Sequence, residues 1–121
     1  MRLVVLLALI GLIAGACGGG ATPAPSFPAG SIIVTADSRA FDTTELQVPA
    51  DAPFTLVLVN EESDAHNIAI RTRPGFDGDL IFRFDPVSRR TVVLTAGPIP
   101  KGAYFFLCER HPKMSGTVIV D

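Results

Sequence analysis

Residues 103–120 read AYFFLCERHPKMSGTVIV. In the first part of this stretch Tyr104, Phe106 and Cys108 alternate with Ala103, Phe105 and Leu107. Successive side chains of a β-strand point to opposite faces, so these three share one face. That face carries aromatics and is read as the core face. A strand over Ala103–Cys108 therefore delivers the Cys108 sulfur to the inner end of a sheet. Thr117–Val120 is the next β-rich run. Between the two lies a short loop holding a thiol, an imidazole and a thioether: Cys108, His111 and Met114.

The same pattern extends upstream. Ser31–Ala36, Thr44–Val48, Phe54–Val59, Ala65–Ile70, Leu80–Phe84 and Arg90–Thr95 are short β-rich runs. Turn residues separate them: Pro49 to Pro53, Pro74 to Gly78, Asp85-Pro86 and Gly97 to Gly102. No apolar period of 3.6 persists beyond the N-terminal run, and there are no internal repeats. An all-β sandwich or barrel of about eight strands is predicted. The 121 residues, 48% of them apolar, suit one small domain. Absence of Trp, with Gly 11 and Pro 10, also leans toward strands and turns. Lys plus Arg is 10 and Asp plus Glu 12, a formal net charge of −2. With no basic excess, no nucleic-acid partner is expected.

Residues 1–16 read as an export signal rather than as part of the fold. Arg2 precedes the unbroken apolar run Leu3 to Ile10, which continues through Leu12, Ile13 and Ala14. Such a run barely spans a bilayer, and no charged stop follows it. Gly15 and Ala16 precede Cys17, and Gly18 to Gly20 follow it. Small residues before a Cys and glycines after it resemble the cleavage box of bacterial lipoproteins. That resemblance implies acylation of Cys17 and a membrane anchor, with Ala14 standing where Leu is usual. Residues 17–29 then form the attachment Cys and a flexible Gly/Pro/Ala tether, and residues 30–121 the domain. The chain is expected outside the cytoplasm, in the periplasm or on the outer face of the cell membrane. Cleavage at Cys17 leaves Cys108 as the single free thiol, so no intrachain disulfide is expected.

Thiolate and thioether are soft ligands and imidazole is intermediate, a mixture that selects copper over hard cations. His66, followed by Asn67 on a separate run, is the fourth candidate. Two His, one Cys and a weak axial Met describe a type 1 copper site. Taken singly, a histidine is more often a surface or satisfied residue, a strand-end Cys a small hydrophobe, and a Met core filler. Taken together these readings fail, because every His, free Cys and Met of the mature chain falls in one pattern. Asp77-Gly78-Asp79 lacks the further spaced oxygens of a calcium loop and reads as a turn. Arg89-Arg90 reads as a solvated strand edge.

The pattern Y-x-F-x-C-x-x-H-P-x-M-x-G-x-V-x-V, with H-N upstream, resembles the cupredoxins, or blue copper proteins. The short C-x2-H-x2-M spacing is nearer amicyanins than plastocyanins or azurins. The resemblance covers Ser31–Asp121 and implies a Greek-key β-sandwich. It implies one copper ion with His66, Cys108 and His111 as equatorial ligands and Met114 as the axial one. It also implies that Asn67 ties the His66 strand to the Cys108 loop, and that Tyr104 is the family's buried tyrosine. Two positions depart from the family. Glu109 stands where many members have a small hydroxyl residue, and Leu107 where plastocyanins have an exposed Tyr.

Four protein ligands leave no open position for substrate, so the chain is expected to carry single electrons between redox partners and not to be an enzyme. Enzymatic copper centres need many more His than this chain has. The alternative is a cell-surface copper carrier or homeostasis protein, but such proteins offer spare exposed Met or His. A monomer is expected, with a redox partner docking transiently near His111. An apolar rim of Pro112, Ile99, Pro100 and Pro74 is predicted there, and His111, on its exposed loop, is the expected electron exit.

Overall fold

The computed structural model describes residues 18–121 together with Gly15; Cys17 and the rest of the segment read as an export signal lie outside the described residues. The described residues form nine strands: β1 (Ile32–Asp37), β2 (Ala40–Phe41), β3 (Glu45–Val48), β4 (Phe54–Asn60), β5 (Ala69–Arg71), β6 (Leu80–Arg83), β7 (Arg90–Ala96), β8 (Gly102–Leu107) and β9 (Ser115–Val120). They form a four-stranded sheet in the order β2-β1-β4-β7 and a five-stranded sheet in the order β3-β9-β8-β5-β6. The pairs β1–β4 and β3–β9 are parallel and the others antiparallel. The expected all-β sandwich is thus found, and the described residues contain no helix.

Alternation builds the core. Val34 and Ala36 of β1, with Phe54, Leu56 and Leu58 of β4, point inward from one sheet. Leu46, Val48, Ile70, Phe106, Val118 and Val120 point inward from the other. All join one buried cluster, which also contains Cys108 and Met114. Each large apolar side chain so buried contributes roughly 1.5–3 kcal/mol.

The sandwich has two distinct poles. β1, β4 and β8 all end at the same one, because the residues just after them meet there. Ser38 donates its backbone N–H to Glu62, and His66 lies beside Cys108. At the opposite pole Ile32 pairs with the early part of β4, and Asp51 donates to the Ile99 carbonyl. Residues 18–29 therefore join the sandwich at the end remote from Cys108.

Three expectations are corrected. The run Ala65–Ile70 is not one strand: only Ala69–Arg71 belongs to a sheet, while His66 makes an isolated bridge to Val87. The hairpin strand β2 was not anticipated; Ser38 and Arg39, its turn, take left-handed φ values of 53° and 55°. Tyr104 is half-buried rather than buried, and its hydroxyl donates to the Pro100 carbonyl at 3.0 Å.

Candidate metal centre

The Cys108 loop is closed on itself by its backbone. His111 N–H donates to the Cys108 carbonyl at 3.2 Å, Met114 N–H to the His111 carbonyl at 2.8 Å, and Cys108 N–H to the Met114 carbonyl at 2.9 Å. These bonds fold the segment back so that its first and last residues are neighbours, both buried in the core cluster. Gly116 lets the loop return into β9: a Cβ there would collide with the Thr44 carbonyl and press on the Phe106 ring.

His66 is delivered by the segment after β4. Asn60, itself buried, shapes it: its Nδ2 donates to the carbonyls of Asp64 and Val87, and its Oδ1 accepts from Glu62 N–H. The His66 backbone is pinned by its two-way bridge to Val87. Its side chain has 0% exposure. Nε2 lies 2.7 Å from Glu62 Oε2, so the carboxylate accepts from Nε2–H and the lone pair of Nδ1 faces the Cys108 sulfur. The other Glu62 oxygen accepts from Ser38 N–H at 2.6 Å. Burial works to raise the Glu62 pKa, but hydrogen bonds from His66, Ser38 and Arg39 outweigh it and hold the carboxyl below its ordinary value. Sequence reasoning missed Glu62. Outside a helix, a spacing of four residues carries no expectation of contact.

Asn67 ties the two loops together. Its Oδ1 accepts from Glu109 N–H at 2.9 Å, while its Nδ2 donates to the Phe84 carbonyl and to Glu109 Oε2 at 2.8 Å. Glu109 thus substitutes a carboxylate for the hydroxyl that many family members place after the Cys. Arg71 and Arg83 offset its charge at 3.3 and 3.4 Å.

Three donors converge. Cys108 Sγ lies 3.7 Å from His66 Nδ1 and 3.9 Å from His111 Nδ1, and the donor atoms of all three residues lie within 4.8 Å of one another. An ion with metal–S and metal–N bonds of ~2.3 and ~2.0 Å at trigonal angles needs S···N of ~3.7 Å. Both S···N spacings lie near that value, as a three-donor metal site requires. One thiolate, two imidazoles and a neighbouring thioether suit copper. Met114 comes from the loop that carries two of these donors, and it lines the same groove as His111.

The Cupredoxin-like domain family matches residues 6–120. The chain belongs to the cupredoxins. Amicyanin-alpha of Methylorubrum extorquens is 30% identical over 94 residues, covering 78% of this chain and 75% of its own. Amicyanin of Paracoccus versutus is similar in structure at 25% identity and a TM-score of 0.55, covering 78% of this chain and 85% of that one. Auracyanin A of Chloroflexus aurantiacus, described as a "blue" copper protein, shares the fold at 21% identity with a TM-score of 0.64, covering 75% and 98%.

Cupredoxins are blue copper electron carriers rather than enzymes, and one copper ion is their cofactor. In this cupredoxin the predicted apolar rim is only partly where expected. Pro74 does line a groove with Pro112. Ile99 is fully buried at the opposite pole, bonded to Asp51, and Pro100 follows it there. The groove beside His111 is lined instead by Arg39, Arg110, Pro112, Lys113 and Met114.

Proposed function

We propose that this cupredoxin is an extracytoplasmic, monomeric one-electron carrier whose copper would be held by His66, Cys108, His111 and Met114. The observation that carries the reading is the convergence of two fully buried donors, Cys108 Sγ and His66 Nδ1, with His111 Nδ1 closing the third corner. Bound copper supplies the one-electron couple. Everything else is the work of this chain. Cys108 and His66 exclude water from their side of the site. Glu62 fixes the His66 tautomer, and Asn67 with Glu109 holds the two loops at one separation. Donors fixed in this way move little when the charge at their centre changes, which keeps reorganisation small. His111 is the one donor that is not fully buried, so electrons leave by its ring edge.

A copper carrier would need donors that can open to exchange the ion. Met1 and Cys17 aside, no His, Met or Cys stands outside the site to receive it. Residues 1–16 are assigned to an export signal, Cys17 to a lipid anchor, residues 17–29 to the tether and residues 30–121 to the copper domain. A flexible tether of this length reaches about 20 Å, and it joins the pole remote from His111. An anchored domain would thus present its copper end away from the bilayer.

The test is the visible spectrum of the copper(II)-loaded protein. Thiolate-to-copper charge transfer is expected as an intense band, and Cys108→Ala is expected to abolish it while the sheets remain folded. Undiminished colour in that variant would overturn the ligand assignment. For the anchor, Cys17→Ser is expected to block processing and to release the protein from the membrane fraction. A wild-type chain that matures elsewhere and stays wholly soluble would overturn it.

A further inference from the structure

Beside His111 lies a groove of about 380 Å³ lined by Arg39, Arg110, His111, Pro112, Lys113 and Met114. Three of these are cations, on a protein whose formal net charge is −2. Three acidic groups around the site are already engaged. Asp64 pairs with Arg39 at 2.7 Å. Glu62 is committed to His66 and Ser38, and Glu109 to Asn67, Arg71 and Arg83. Arg110 and Lys113 are exposed and form no ion pair among the described residues. The rim of the electron exit is therefore positive while the molecule as a whole is negative.

We propose that this rim docks an acidic redox protein, with Arg110 and Lys113 meeting carboxylates of the partner while Pro112 and the His111 edge form the apolar centre of the contact. The inference rests on the electron-carrier reading above and adds the chemistry of the partner. Charges beyond a Debye length of about 8 Å at physiological salt are screened. A partner arriving at this groove consequently feels Arg110 and Lys113 more strongly than charges beyond that distance, and the local charge sets encounter rate and orientation. An anionic lipid surface would also suit two cations. The tether joins at the opposite pole, so a protein is the occupant the geometry favours.

The reduced, copper-loaded protein is mixed in a stopped-flow instrument with ferricyanide, an anion, or with tris(phenanthroline)cobalt(III), a cation. In each case one electron passes from copper(I) to the oxidant, giving copper(II) and ferrocyanide or cobalt(II), with no proton transferred. The ferricyanide rate is expected to fall as salt rises, opposite to the sign that the net charge dictates. In the double variant Arg110→Gln, Lys113→Gln, its low-salt rate is expected to fall by roughly tenfold, the lower end of what steering supplies. The cobalt rate is expected to rise in the same variant. A merely structural defect would slow both oxidants together. An acidic c-type cytochrome is expected to exchange electrons faster than a basic one at low salt, and the double variant to remove the preference.

A ferricyanide rate that rises with salt and is unchanged in the double variant would overturn the docking inference while leaving the carrier reading intact. So would sedimentation with phosphatidylglycerol vesicles that depends on Arg110 and Lys113, which would give the rim to lipid. Inertness toward both oxidants would overturn the carrier reading, and this inference with it.

Discussion

Glu62 is expected to set copper affinity although it never touches the ion. One of its oxygens holds His66 Nε2 at 2.7 Å and the other holds Ser38 N–H at 2.6 Å. In Glu62→Ala the His66 Nε2–H loses its acceptor inside the protein. The ring then keeps an unsatisfied buried donor, at about 1–3 kcal/mol, or moves its proton to Nδ1, the atom that faces Cys108. The first result lowers the stability of the folded protein; the second competes directly with metal binding. Loss of the group that orients a ligating His typically weakens metal binding by about 10–100-fold, which is roughly 1.4–2.8 kcal/mol. Glu62→Gln keeps an acceptor oxygen for Nε2–H and is expected to lose less than about tenfold. The negative carboxylate also favours the more highly charged ion, so both variants are expected to raise the reduction potential. Each tenfold difference in affinity between the two oxidation states is ~59 mV. Competition with chelators of known affinity for copper(I) and copper(II), with voltammetry, reads both effects. Binding of both states by Glu62→Ala within twofold of wild type, at an unchanged potential, would refute the positioning role.

Two further outcomes concern the fold around the site. Gly116→Ala places a methyl group against the Thr44 carbonyl and the Phe106 ring. It is expected to cost roughly 1–3 kcal/mol, read as a lower denaturation midpoint; an unshifted midpoint would contradict the close approach. Asp64 is held below the ordinary aspartate value, first by the hydrogen bond from Arg39, then by the Arg39 charge, against burial. Its folded pKa therefore lies below the unfolded one. Its stabilising effect is complete above the unfolded value of ~3.9 and is lost as pH falls through the folded one. The difference in stability between wild type and Asp64→Asn, measured without copper, is expected to be constant from neutral pH to about 5 and to shrink below about 4. A difference that persists unchanged in acid would remove Asp64 from the account.

The parts of this protein that the sequence made legible are those where neighbours in the chain are neighbours in space. Strand alternation placed Phe106 and Cys108 inward because a strand's period depends only on local geometry. The loop from Cys108 to Met114 was legible because two backbone turns bring its ends together without help from elsewhere. His66 was found by scarcity, since the chain has no other candidate, and its local structure was misread. The run Ala65–Ile70 has the composition of a strand, yet Asn67 directs its side chain to the Phe84 carbonyl and to Glu109, and regular pairing begins only at Ala69. The parts played by Glu62 and Arg39 were not legible. Both depend on how the β1–β2 turn meets the segment after β4, a contact between separate parts of the chain. Ile99 was misplaced for the same reason: its apolar character was read correctly, but which pole it occupies depends on the direction of β8.

The site is therefore held by two kinds of constraint with different origins. Cys108, His111 and Met114 share one backbone-closed loop, so their mutual arrangement is local and survives small shifts of the sandwich. The position of His66 relative to that loop is set by contacts across the molecule: the Val87 bridge, Glu62 and the Asn67–Glu109 link. These meet different atoms of the segment, namely the backbone of His66, its ring and the side chain of its neighbour. A single loss leaves the other two in place, which is why a graded weakening rather than collapse is expected from Glu62→Ala. Glu109 joins this frame to the surface, because its carboxylate is shared between Asn67 and two arginines. It fixes the loop separation, and Arg71 and Arg83 offset its charge. The residue that departs from the family pattern thus joins the interior of the site to Arg71 and Arg83.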